Sequence, residues 1–217
     1  MNKILFNFNY DMEAAVLAGS KTQLRRIIKF RNFGSRVVHY TPLPRTKGSA
    51  RYHLEDGRKL VDYETLPIYR VGEVVAIGQS YADVKRYYEE NNLTDSNAYK
   101  ELLKAIEGKD KEMFNAGRKD KFLVKPHLMP HHIRILSVKT QHLQDITEDD
   151  CLAEGIGYDE EQSELKYFLT DNITKSRFYF ATAKEAFAFF ITQTEKNMRD
   201  VWAKDPPVFV YTFETID

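Results

Sequence analysis

The 217-residue sequence has one cysteine, Cys151, one tryptophan, Trp202, and no net charge, with 32 Lys+Arg set against 32 Asp+Glu. A lone cysteine excludes an internal disulfide framework and an all-cysteine zinc site. No apolar run approaches the roughly 18 residues of a membrane span, so no membrane partner is expected. There is no internal repeat and no low-complexity tract. The opening residues, Met1 to Phe6, lack the apolar stretch and small-residue cleavage site of a signal peptide. The expected location is therefore the cytoplasm. With 13% aromatic residues and no charge excess, disorder is excluded as the main state.

What is present describes an ordinary globular chain, 42% hydrophobic and 29% charged. The length predicts a single domain over residues 1–217 with a sizeable core. The zero charge is a cancellation between segregated segments. From Ala14 to Leu54 there are nine Lys/Arg and no acid, and from Gln144 to Asp171 ten Asp/Glu and one Lys. Either the fold brings the two segments together, or the protein carries a basic face that its total charge conceals.

Ile4–Phe8 reads as a short strand. A helix starts near Asp11 and ends where Gly19 suits a left-handed cap. Lys21–Lys29 reads as a strand. Residues 31–67, punctuated by Pro42, Pro44, Gly48, Gly57 and Pro67, read as an extended loop region with one or two short strands (Arg36–Tyr40, Lys59–Val61). Val71–Ile77 is a near-continuous apolar strand. Two polar helices, Tyr81–Asn92 and Ser96–Glu107, open a helical insertion over residues 81–120 that includes the charged run Gly108–Lys121. Lys121–Val124 is a short strand candidate, and His132–Thr140 a strand with a bulge. Thr147 caps a short helix with acids in its first turn. Leu165–Leu169 and Arg177–Phe180 form a hairpin. Thr182–Glu185 is a capping box for a helix running to about Asn197. Val208–Ile216 closes the chain as a strand. This order and mixture predict an α+β fold, a small mixed β-barrel surrounded by short helices.

Three stretches carry a resemblance. Leu17-Ala18-Gly19-Ser20-Lys21-Thr22, followed by Arg25 and Arg26, resembles the Gly-x-Lys-Thr signature of ASCH domains, which belong to the PUA-like superfamily. Val71-Gly72-Glu73-Val74-Val75-Ala76-Ile77 is similar to the family's next strand. Leu143 to Ile156, with its Leu-Gln-Asp-Ile-Thr and Ala-Glu-Gly pieces, resembles the family's helix. Trp202 and Pro206 to Val210 are similar to its terminal strand. The resemblance implies a PUA-like barrel with a cleft for a base or nucleotide, and a protein that binds RNA or a modified nucleoside. Some members resemble amidohydrolases that act on N4-acetylcytidine, and others have been proposed as ribonucleases. In the amidohydrolase type, a Lys, a Thr three residues later and the Glu of the Ala-Glu-Gly helix form the site. Those positions are Lys21, Leu24 and Glu154 here, so the hydroxyl is missing. Thr22, Arg25, Arg26, Gln79, Ser80 and Tyr81 are the implied ligand-binding positions. No cofactor is implied. A further alternative is a protein-interaction module with a vestigial cleft.

The residues themselves allow two chemistries for Lys21 and Glu154. Facing one cleft, Glu154 takes a proton from water and Lys21 stabilises an oxyanion. Alternatively they form a buried ion pair that fixes strand against helix. On a strand, Lys21, Gln23 and Arg25 share one face, together with Lys29 and Arg31, while Arg26 points the other way. That face either tracks phosphates or is a solvated edge protected by charge. Tyr40, Tyr52, Tyr63, Tyr69 and Tyr81 are candidates for stacking on bases. His127, His131, His132 and His142 lack nearby acidic or cysteine partners in sequence, and no metal site is expected. Cys151 reads as a packing residue.

Overall fold

The computed structural model of the chain describes residues 1–7, 9–28, 37–42, 50–62, 67–107, 120–195 and 200–217, with backbone alone at 37–42, 50, 52, 60–62 and 120. In chain order the elements begin with β1 (Asn2–Ile4), α1 (Met12–Leu17), β2 (Gln23–Ile27), β3 (Val37–Pro42), β4 (Ala50–Leu54) and β5 (Lys59–Asp62). Next come β6 (Val74–Ile77), α2 (Tyr81–Glu90), α3 (Asn97–Ile106) and β7 (His132–His142). Then follow α4 (Glu148–Ala153), β8 (Gly157–Tyr158), β9 (Tyr167–Thr170), β10 (Arg177–Phe180), α5 (Ala183–Thr194), α6 (Val201–Lys204) and β11 (Pro207–Thr215).

The main sheet has the order β1-β6-β7-β11-β2, with β1 parallel to β6 and the other pairs antiparallel. It is an α+β architecture in which the five strands do not close into a barrel. β1 and β2 remain as the two edges. The bulge in β7 falls at Leu136, where the register with β11 shifts between Thr212↔Ser137 and Phe213↔Ile135. Leu136 is the extra residue and its side chain is exposed.

Strand alternation sets the layers. Val75 and Ile77 of β6 enter the main core with Ile133, Ile135, Val210 and Phe187. Ala76, between them, faces the opposite way and packs with Val84, Tyr88, Tyr99 and Leu102 of α2 and α3. The described helices of the 81–120 insertion therefore cover the outer face of β6. Ser80 and Ser96 cap them, each accepting a hydrogen bond from the backbone three residues on.

Two expectations change. Residues 37–62 hold a three-stranded antiparallel sheet, β3-β4-β5, where the loop reading allowed at most two short strands. Lys121–Val124 is not a strand, because residues Asp120–Phe122 form a 3₁₀ turn. The reason is tertiary: Lys3 Nζ donates to the carbonyls of Lys121, Phe122 and Val124 at 2.6, 2.9 and 2.7 Å. Successive carbonyls of an extended strand point to opposite sides, so carbonyls that converge on one ammonium belong to a turned backbone. The second small sheet is β10-β9-β8, and its β9–β10 hairpin turns at Asp171–Ser176. No helix among the described residues is long and apolar enough to cross a membrane.

Candidate functional site

The site begins at the end of α1. Gly19 adopts φ +74°, the left-handed geometry expected of it. The turn is closed by the Ser20 and Lys21 amides, both donating to the Ala15 carbonyl at 3.0 Å. Thr22 then joins two elements at once. Its amide donates to the Ala153 carbonyl at 2.8 Å, and its carbonyl accepts from the Phe213 amide at 2.9 Å. The Thr22 backbone thus locks the start of β2 between α4 and β11.

That lock brings Lys21 under the end of α4. Lys21 Nζ donates to Glu154 Oε2 at 2.8 Å and to the Glu154 carbonyl at 2.5 Å. The carbonyl bond suits a cation at a helix C-terminus. Arg25 Nη1 donates to Glu154 Oε1 at 3.0 Å, and Arg25 Nη2 to Asp150 Oδ2 at 2.8 Å. Gln23 completes the ring: its Nε2 donates to Asp150 Oδ1 at 2.9 Å, and its Oε1 accepts from Arg25 Nη1 at 3.1 Å. Lys21, Arg25 and Glu154 are buried. Two cations face two carboxylates, so the cluster is formally neutral. Gly155, at φ +97°, turns the chain beside it, and a Cβ there would stand 2.9 Å from Met12 Sδ.

Burial sets the titration here. It pulls the Lys21 ammonium below its ordinary value, against the raising effect of Glu154. Partial burial pushes Asp150 up, but the Gln23 hydrogen bond, the Arg25 charge and the Thr147 amide together hold it below the ordinary range. Cys151, fully buried beside the cluster, is pushed up by burial to about 12. A thiol so placed packs and does not act as a nucleophile near neutral pH.

Beside the cluster lies a cavity of about 540 Å³. Its walls include Lys21, Leu24, Arg25 and Arg26 of the β2 segment, Leu5 to Asn7 just after β1, and the end of α5. Residues from both faces of β2 contribute, so the cavity wraps around that edge strand. The two edges of the sheet border the same space. Glu154 lies behind this wall, in contact with Lys21 and Arg25.

Several expected residues come together and several do not. Lys21, Arg25 and Glu154 meet. Arg26 points away from them, toward the Tyr69 ring at 5.9 Å, and lines the cavity from the other face of β2. Thr22 contributes its backbone. Gln79, Ser80 and Tyr81 sit at the start of α2, buried, and do not line the cavity. Tyr69 and Tyr81 are each only 3% exposed and offer no stacking surface. The side chains of Tyr40, Tyr52 and Tyr63, with Lys29 and Arg31, lie outside the described residues. The histidines are held by different partners: His127 by Glu101, His131 against Tyr87, His132 by Asp217 and His142 by Asp205. Among the described residues no group of three or more His, Cys, Asp or Glu is placed to hold a metal ion.

Gln23 stands on the strand face expected for it, whereas Asp150 and Glu195, a residue lining the cavity just past α5, were not foreseeable as site residues. Asp150 looked fully explained as the third residue of the Thr147 capping box, a role it also fills. Only the fold shows that one carboxylate serves both the cap and Arg25. No family model, curated protein or solved structure matches the chain.

Proposed function

We propose that this is an ASCH/PUA-like protein that binds RNA or a modified nucleoside in the cavity beside β2. The observation that supports the reading is a cation at the cavity wall without a counter-charge. Arg26 is half-buried, lines the cavity and makes no ion pair among the described residues. A guanidinium so placed can meet an anionic or hydrogen-bond-accepting ligand. The cavity volume falls within the roughly 300–1,000 Å³ typical of small-molecule sites. The proposal takes the protein to act in the cytoplasm.

The test is calorimetric titration with N4-acetylcytidine and with a short single-stranded RNA at low salt. Binding that weakens in Arg26→Ala and with rising salt supports the reading. Binding unchanged in that variant removes it.

A second reading is an amidohydrolase acting on an N-acylated nucleoside. It is favoured by the Lys21 amine, buried and lowered in pKa, at the cavity wall 2.8 Å from Glu154. In this reading Glu154 takes a proton from water and the Lys21 ammonium stabilises an oxyanion. Leu24 lines the cavity where the amidohydrolase type carries a hydroxyl. Acetate release from N4-acetylcytidine, absent in Lys21→Ala and Glu154→Gln and raised by Leu24→Thr, supports hydrolysis. Release equal in all variants removes Lys21 and Glu154 from the mechanism.

A further inference from the structure

Among the described residues, the cavity lining holds one charge of each sign without an ion-pair partner. Arg26 makes no ion pair there, and its guanidinium lies over Tyr69 at 5.9 Å. Glu195, half-buried just past α5, lines the same cavity; its amide donates to the Ile191 carbonyl, and its carboxylate takes part in no ion pair or hydrogen bond among the described residues. The other charged residues lining the cavity, Lys21 and Arg25, are neutralised by Glu154 and Asp150.

Adjacent residues of a strand point to opposite faces. Arg25 packs toward α5, with its guanidinium 5.9 Å from the Phe187 ring. Arg26 therefore faces the other way, toward Tyr69. Glu195 lines the cavity from the end of α5, and the apolar residues Leu24, Ile191, Phe190 and Phe209 line it too.

We propose that the cavity takes a nucleoside monophosphate whose base carries an exocyclic amino group, with phosphate on Arg26 and the amino group on Glu195. This rests on the nucleoside-binding reading above and narrows it from a neutral nucleoside or a polymer to a single charged nucleotide. The chemistry matches at each end. A guanidinium offers the paired N–H donors that phosphate oxygens accept. A carboxylate accepts only, so it selects a base edge that donates N–H and disfavours one that presents a carbonyl. The apolar part of the lining suits the faces of a base.

The experiment is isothermal titration of the full chain with cytidine, cytidine monophosphate and uridine monophosphate. Wild type is expected to bind the cytidine monophosphate about ten- to hundredfold more tightly than cytidine, the worth of a charge-assisted contact. Arg26→Gln should erase that difference, and Arg26→Lys should restore part of it. Glu195→Gln should abolish the preference for cytidine over uridine monophosphate, weakening the first and tightening the second as an amide donor replaces the carboxylate. Thermal melts of the three variants within a few degrees of wild type show that folding is intact. Equal binding of nucleoside and monophosphate, or an Arg26→Gln variant that keeps the difference, overturns this inference while the nucleoside reading stands. RNA binding without mononucleotide binding likewise overturns it alone. Absence of binding by nucleosides, nucleotides and RNA overturns both.

Discussion

Lys21 Nζ lies 2.8 Å from Glu154 Oε2 across 133 residues of chain, and Arg25 holds the other carboxylate oxygen at 3.0 Å. This is where the basic N-terminal and acidic C-terminal segments meet. Two cations of one and two carboxylates of the other pair there, in a ring that also contains Gln23. Arg26, on the other face of β2, makes no ion pair among the described residues.

Glu154→Gln should destabilise the protein by about 3–5 kcal/mol, because it leaves Lys21 and Arg25 buried beside each other without their shared anion. Urea unfolding followed by far-UV circular dichroism measures this. The Lys21→Met, Glu154→Leu double variant should lose less than the two single variants summed. A loss under about 1 kcal/mol for Glu154→Gln would show that the ring does not hold strand to helix.

Asp150 makes stability fall in acid. Its folded pKa is lowered from 3.8, so just below that value the unfolded chain binds more protons than the folded one. Its contribution is complete above about pH 4 and is lost as pH falls through the folded pKa. Asp150→Asn should therefore be less stable than wild type at pH 6, with the two curves converging toward pH 2. Parallel curves would rule Asp150 out as the source of the acid sensitivity.

Cys151, at a thiol pKa of about 12 and fully buried, should resist alkylation in the folded protein. Iodoacetamide labelling at pH 8, read by mass spectrometry, should be negligible over an hour and rapid in urea. Fast labelling of the native protein would contradict the packing assigned to α4.

Gly157 of β8 leaves room for the ring of Phe168 on β9, and a Cβ there would stand 2.3 Å from that ring. Gly157→Ala should cost about 1–3 kcal/mol by overpacking. A lowered thermal midpoint, partly recovered in the Gly157→Ala, Phe168→Ala pair, checks it. Full additivity of the two changes would mean the clash is not the cause.

Local signals carried most of the element assignments. The Gly19 cap, the Thr147 and Thr182 capping boxes and the near-continuous apolar run of β6 each act over a few residues, and each forms as read, whereas β11 is buried at every residue from Val208 to Tyr211 instead of alternating. The strand of Lys121–Val124 was misread because Lys3, far away in sequence, gathers its carbonyls. The three strands within 31–67 were under-read because Pro and Gly mask short strands whose pairing is not local. Gln79, Ser80 and Tyr81 were grouped with Lys21 through the family resemblance, yet the start of α2 faces the second core cluster.

The sequence by itself determined where helices start and stop, which strand positions face a core, and that Lys21, Arg25 and Glu154 are the polar residues to watch. Caps and alternation depend on nearest neighbours, which the sequence lists directly. Only the tertiary structure decided which charges pair. It set Asp150 against Arg25, left the Arg26 and Glu195 side chains without an ion pair among the described residues, and opened a cavity beside β2. Those outcomes follow from strand order and from which face of β2 meets α5, and no local pattern encodes either.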